Sequence, residues 1–231
     1  MGSEPRAQLF IVSGPSGSGK TTVVEHLLRE VPRLLFSVSC TTRAPRAGEE
    51  DGRDYHYVNR AEFERMISAG NFLEYANVFG ELYGTPGRNL EAAAQQGKDL
   101  VLDIDVQGAR QVKNQLPQAV AILLVPPSAA VLERRLRQRA QDSPDIIRRR
   151  LDRAREEIES YSTYDYLVVN RDLVETCSQV KAIVLAERHR RTGARAAPED
   201  DEGEARVAAA RREANKSQIS AILETFAAKK P

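Results

Sequence analysis

The sequence predicts an α/β fold built on a doubly wound parallel sheet. Three observations carry this. Short apolar segments at Leu9–Ser13, Asp99–Asp105, Ala119–Val125 and Tyr166–Val169 have the length of strands, and helical patterns separate them. Their apolar residues run on more than they alternate, as strands do when helices cover both faces of a sheet. The first segment leads directly into a glycine-rich turn and then a helical pattern, the strand–loop–helix opening of such domains.

The elements follow in order. After the strand Leu9–Ser13 comes Gly14-Pro-Ser-Gly-Ser-Gly19-Lys20-Thr21-Thr22, of the form G-x-x-x-x-G-K-T. Glycines let the backbone wrap closely around phosphate oxygens with its N–H groups pointing inward. The helix that follows adds unsatisfied N–H groups and the positive end of its dipole, both favourable to an anion. Lys20 is placed to reach the β- and γ-phosphates of a nucleotide, and the Thr21 hydroxyl to bind the Mg²⁺ that bridges them. The sheet is therefore of the phosphate-loop NTPase type, and the chain binds nucleotide phosphate.

Thr21–Glu30 is the first helix, with Val23, Val24, Leu27 and Leu28 on one face and a stop near Pro32. Between about Ser37 and Pro86 the rhythm breaks into short polar strands, glycines and one helix. Asn59 is its N-cap, Glu62 stands three residues on, and it ends near Gly70. A stretch this long and this rich in strand residues reads as an inserted subdomain for a second substrate. Helices then cover Arg88–Gln96, Gly108–Gln115, Ala129–Arg139, Pro144–Ser160 and Leu173–Arg190, between the remaining strands. The organisation is core over 1–36, subdomain over 37–86 and core again over 87–190. Residues 191–204, with the acidic run Glu199–Glu202, read as a solvated linker. Residues 205–231 read as an alanine-rich helix with Ile219, Ile222, Leu223 and Phe226 on one face. That stripe packs either on its own domain or on a second subunit of a homo-oligomer.

Composition narrows the class. The chain has 231 residues, 41% of them hydrophobic, enough for one good core with smaller insertions. A net charge of +1 supplies no general drive toward nucleic acid or membrane. No apolar run approaches the roughly 20 residues of a membrane span, and the first residues lack a signal-peptide pattern. Cys40 and Cys177 are far apart and are read as thiols of a reducing cytosol, so the location expected is cytoplasmic. His26, His56 and His189 show no ligand spacing, so no metal site made of side chains alone is expected.

Further strings carry a family resemblance. They are Ser37-Val-Ser-Cys-Thr-Thr-Arg43-Ala-Pro-Arg46-Ala-Gly48, Asp54-Tyr55, Phe72-Leu-Glu74-Tyr, Tyr83-Gly-Thr85, Leu102-Asp103-Ile-Asp105-Val-Gln-Gly108 and Val169-Asn170. With Gly14–Thr22, and in this order from about Gln8 to Arg190, they resemble guanylate kinase in its bacterial form. The resemblance implies Mg²⁺-dependent transfer of the γ-phosphoryl group of ATP to GMP, with dGMP a weaker acceptor. That reaction serves purine nucleotide metabolism and the supply of GTP and dGTP. It implies that the inserted subdomain binds GMP, and that a helical lid at about 138–147 covers ATP.

The chemistry of GMP fits the residues that the resemblance assigns. Arg43 and Arg46 clamp the phosphate, since guanidinium groups suit bidentate contact with its oxygens, and the Tyr55 and Tyr83 hydroxyls add donors. Guanine presents N1–H and an amine as donors and O6 as acceptor, which a carboxylate and a hydroxyl complement. The resemblance gives these roles to Glu74 and Ser39, with help from Thr85 and Asp105. Asp103 is placed both on the GMP side and, through water, on the Mg²⁺ next to Thr21. ATP is held by Gly14, Pro15, Ser16, Gly17, Ser18, Gly19, Lys20, Thr21 and Thr22, with Arg135 and Asn170 on its far side. Segment 133–155 carries nine arginines against four acidic residues. By resemblance Arg139 and Arg150 are its catalytic lid residues, acting with Lys20 and Arg43. A period of two places Asp103 and Asp105 on one strand face.

Overall fold

The first strand, β1 (Leu9–Ser13), is buried along its whole length and lies in the middle of a five-stranded sheet. The computed structural model describes residues 7–78, 80–139, 143–192 and 201–227. Helix α1 (Lys20–Glu30) follows the glycine-rich turn and buries Val23, Val24 and Leu27, the apolar stripe read from the sequence. Strand β2 (Leu34–Phe36), β7 (Asp99–Asp103), β8 (Val120–Val125) and β9 (Tyr166–Val169) complete the sheet in the order β2-β7-β1-β8-β9. The β2–β7 and β8–β9 pairs are parallel. Strands add on one side of β1 and then on the other, so the order switches at β1. The carboxyl end of such a switch strand is where α/β sheets bind ligands.

The inserted segment forms a second sheet. It contains β3 (Ser39–Thr41), β4 (Tyr55–Tyr57), β5 (Phe72–Val78) and β6 (Glu81–Pro86), in the order β4-β3-β6-β5. Helix α2 (Arg60–Ser68) has Asn59 as N-cap, whose side chain accepts from Glu62 N–H at 2.9 Å. It closes a small core of Cys40, Phe63 and Leu82, onto which Val58, Met66, Ile67 and Phe72 pack. Phe63 and Phe72 stack with centroids 4.5 Å apart. A Cβ at Gly84 would come within 3.0 Å of both rings, so glycine is required between Tyr83 and Thr85.

Contacts divide the chain into two units. Among the described residues, one holds 7–10 with Arg33–Leu102 and Gln107–Ala119; the other holds Ile11–Pro32, Asp103–Val106 and the described residues from Val120 on. Helices α3 (Arg88–Gln95) and α4 (Val106–Gln115) precede β8, and α5 (Ala129–Arg139), α6 (Pro144–Glu159) and α7 (Leu173–Thr192) follow it. Two of the boundaries that differ from the sequence reading bear on the site. Strand β7 ends at Asp103, so Asp105 lies in the short connection to α4 and strand periodicity does not set its direction. Helix α4 begins at Val106, with Gly108 inside it. Glycine is a poor helix former, but a Cβ there would lie 2.4 Å from a Glu74 carboxylate oxygen, so packing decides the residue.

The C-terminal segment also differs. In place of one helix there are α8 (Asp201–Ala210) and α9 (Lys216–Ala227), with a 3₁₀ turn at Arg212–Asn215. The buried Asn215 amide donates to the carbonyls of Ala209 and Arg211, and such local side-chain bonds compete with helix continuation. The linker expected over 191–204 is helical at both ends; residues 193–200, like 228–231, lie outside the described residues. Helix α9 packs on α5 and α6, burying Ile219, Ile222 and Phe226, while the Thr225 hydroxyl accepts from Ala129 N–H at 3.0 Å. The apolar stripe thus packs on its own chain. Phe226→Ala is expected to lower unfolding stability by about 3 kcal/mol, a typical cost of emptying a buried phenylalanine site, as read by urea denaturation. Mass in light scattering should not change. A fall in mass would place the stripe at a subunit interface instead.

Candidate active site

Helix α1 has no capping side chain and no acidic residue in its first turn, and Gly19 precedes it in a left-handed conformation. Its N–H groups and dipole therefore face the turn that the phosphate loop forms. That turn is closed by Ser18 N–H donating to Pro15 O at 3.0 Å. Gly14 could carry no side chain, because a Cβ would sit 2.2 Å from the Leu124 carbonyl oxygen on β8. Lys20 folds back over the loop and donates to Gly14 O at 2.7 Å and Pro15 O at 3.3 Å. Its ammonium is thus held where the loop curves.

Asp103 ends β7, and its carboxylate accepts from the Thr21 hydroxyl at 3.3 Å. Burial pushes the Asp103 carboxyl up, against the opposing pull of Lys20 and the Thr21 hydroxyl. A hydroxyl and a carboxylate this close are oxygen donors of the kind Mg²⁺ takes, so the residues present fit that ion.

Asn170, after β9, is 3% exposed. Its amide donates to Ser18 O at 2.7 Å, and its oxygen accepts from the Thr176 hydroxyl at 3.3 Å. A Cβ on Gly19 would meet that amide at 2.5 Å. Asn170, read from the sequence as an ATP-side residue, is thus bonded directly to the phosphate loop and braces it. Arg135, on α5, donates to Asn170 O at 3.0 Å and so stands behind the same brace. Arg150 is half-buried on α6. Arg139 ends α5, with its side chain outside the described residues, as are lid residues 140–142. Ser143 caps α6 and Pro144 opens it, which fixes where that helix starts.

The inserted subdomain carries the other predicted residues. Cross-strand register pairs Glu74 on β5 with Thr85 on β6, and the Thr85 hydroxyl donates to Glu74 Oε1 at 2.6 Å. Glu74 is 4% exposed, an uncommon burial for a carboxylate. Ser39 opens β3, half-buried. Cys40 next to it is in the core, out of reach of a ligand. Arg43 donates through Nε to the Tyr83 hydroxyl at 3.1 Å, and its guanidinium lies 5.4 Å from the centre of the Tyr55 ring. Tyr55 and Tyr83 meet edge to face at 5.8 Å, so Arg43, Tyr55 and Tyr83 form one cluster. Arg46 stands in the exposed turn beyond it.

The sequence reading missed three groups. Glu49 binds Arg43 through both oxygens at 2.9 Å, and Arg43 holds the Glu49 carboxyl down at about 2. Arg153 on α6 donates to Asp105 at 3.2 Å and to Glu157 at 3.0 Å, so Asp105, expected near guanine, is held by an α6 arginine. Tyr164, fully buried, donates to Ser13 at 2.9 Å just before the phosphate loop. Glu49 had a signal, since it follows the Arg43–Gly48 string directly. Nothing in the sequence links residues 105 and 153, or 13 and 164, because the fold alone brings them together.

A phosphate loop at the switch point of a parallel sheet, with an inserted subdomain that groups arginine, tyrosine and a buried carboxylate, defines a phosphate-loop nucleotide kinase. The family model described as guanylate kinase matches residues 6–187. The guanylate kinase of Symbiobacterium thermophilum is 46% identical over 190 residues, covering 82% of this chain and 90% of that protein. The guanylate kinase of Koribacter versatilis is 50% identical over 195 residues, covering 83% and 84%. The crystal structure of guanylate kinase from Anaplasma phagocytophilum superimposes with a TM-score of 0.64 at 36% identity, covering 79% of this chain and 87% of that one. The chain belongs to the guanylate kinase family, which makes it a nucleoside monophosphate kinase. Among the described residues no helix is long and apolar enough to cross a membrane. The matched family region ends before α8 and α9.

Proposed function

We propose that this chain transfers the γ-phosphoryl group of ATP to GMP, giving ADP and GDP, in a reaction that requires Mg²⁺. The observation that supports the acceptor most directly is the buried Glu74 carboxylate, oriented by Thr85. Such a group complements the N1–H and amine donors of guanine and finds no such pair in the other common bases. The phosphate of GMP is held by Arg43 and Arg46, with Tyr55 and Tyr83 as further donors, and Ser39 serves O6. Asp105 adds to base recognition and Asp103 borders both nucleotides. dGMP, without the 2′-hydroxyl, is the weaker acceptor.

On the donor side Gly14–Thr22 wrap the phosphates and Lys20 carries charge to the β- and γ-oxygens. Thr21 and, through water, Asp103 are the residues that would hold Mg²⁺, which supplies charge neutralisation at those oxygens. Arg139 and Arg150 act with Lys20 and Arg43 on the charge that spreads over the migrating group. An acceptor oxygen in line with the γ-phosphorus needs no phosphoenzyme, so positioning and charge do the catalytic work. Arg135 and Asn170 support the loop that holds ATP. The two thiols, both buried and unpaired, suit a reducing cytosol.

A coupled assay of ADP release with GMP, AMP, CMP and UMP tests this. GMP should be the acceptor by a wide margin, with dGMP next. Comparable turnover of AMP and GMP would overturn the assignment.

A further inference from the structure

We propose that Glu49 is a positioning residue for the acceptor phosphate: it holds the Arg43 guanidinium and the Arg43–Arg46 turn in the arrangement that clamps it. This rests on the reading of Arg43 and Arg46 as the phosphate clamp. Glu49 accepts four hydrogen bonds, from Arg43 Nη1 and Nη2 at 2.9 Å each, from Arg46 N–H at 2.7 Å and from the Tyr57 hydroxyl at 2.9 Å. Its own N–H returns to Arg46 O at 3.1 Å, so side chain and backbone close the same turn reciprocally. Gly48, with φ of 86°, supplies the left-handed step that this turn needs.

A carboxylate on an arginine fork can be read in two ways. It can fill the place of a phosphate and leave when one arrives, or it can hold the fork while another edge binds. The geometry favours the second. Leaving would break the bond to the Arg46 N–H, which shapes the turn, and the bond to Tyr57, which is no part of the clamp. Arg43 also donates to Ala44 O at 2.7 Å and to Tyr83 at 3.1 Å. Of the five N–H groups of a guanidinium, these contacts use four, and one on Nη2 stays available for a phosphate oxygen. The pair is largely shielded, with 14% and 20% of the two side chains exposed, which sets it apart from a loose surface ion pair. Tyr55 and Tyr57 stand two apart on β4 and so share a face, where the Tyr57 hydroxyl steadies Glu49 and the two rings lie 5.4 Å and 6.0 Å from the Arg43 guanidinium.

Glu49→Gln in the full chain keeps the size of the side chain and removes its charge. The KM for GMP should rise at least about tenfold, the change expected for loss of one charge-assisted hydrogen bond. The KM for ATP and the binding of guanosine, which has no phosphate, should not move. Glu49→Asp should recover part of the loss. If Glu49→Gln fails to fold by circular dichroism, Tyr57→Phe, which deletes one of the four bonds, should raise the GMP KM in the same selective way. Tighter GMP binding in Glu49→Gln would show a carboxylate that competes with the phosphate, and would overturn the proposal. An unchanged KM in the folded variant would do the same. A normal GMP KM in Arg43→Ala would instead sink the clamp reading itself.

Discussion

Lys20→Ala should lose kcat by on the order of 10² to 10³ or more, the scale seen when one preorganised charge partner of a transition state is removed, while the fold persists. The reason lies in where the ammonium is kept. In the structure it donates to the carbonyls of Gly14 and Pro15 and is half-buried, not a member of the core. Its loss therefore removes charge from the site and few packing contacts. It also removes a positive neighbour that opposes the effect of burial on the Asp103 and Glu157 carboxyls. Both carboxyls should then titrate higher, and the pH profile of the residual activity should shift upward with them. Steady-state ADP release and circular dichroism check this together. A folded Lys20→Ala protein with nearly full turnover would exclude the phosphate-loop mechanism.

Acceptor choice should collapse in Glu74→Ala. A site built to receive hydrogen-bond donors rejects a base that lacks them by roughly 10⁴ or more, because its buried polar groups would otherwise be left unpaired. Adenine presents the N1 lone pair where guanine presents N1–H, directly against a carboxylate that is 4% exposed. The Thr85 hydroxyl and the close approach of Gly108 confine that carboxylate, so it cannot turn aside to admit adenine. Removing the carboxylate should cut kcat/KM for GMP sharply and bring the GMP-to-AMP ratio down by orders of magnitude. Competition assays with both acceptors give that ratio. A GMP preference unchanged in Glu74→Ala would move base recognition elsewhere.

The phosphate loop was legible from residue types alone, since the same few glycines, the lysine and the threonine do their work through local backbone geometry. The strands were legible too, because burial on both faces writes continuous apolar runs, as in the fully buried β1 and β8. The N-cap at Asn59 and the break of rhythm at Ser37–Pro86 belong with these, being consequences of short-range hydrogen bonding and of composition. The clamp residues came from their resemblance to a family, and the sequence placed them in one subdomain without giving their contacts.

Only the tertiary structure decided the rest, wherever the deciding partner is distant in the chain. Asn170 was placed on the ATP side by resemblance alone; that its amide meets Ser18 O, 152 residues away, and braces the loop is a contact that only the fold supplies. Gly108 looked like a helix boundary until Glu74 occupied the space a Cβ would need. The apolar stripe of α9 left both its own domain and a second subunit open as partners until α5 and α6 were found against it. Local propensity and hydrophobic period are written in neighbouring residues, and those the sequence by itself determined. Which buried polar group answers which, and which apolar face covers which, depends on long-range packing, and that only the folded chain fixes.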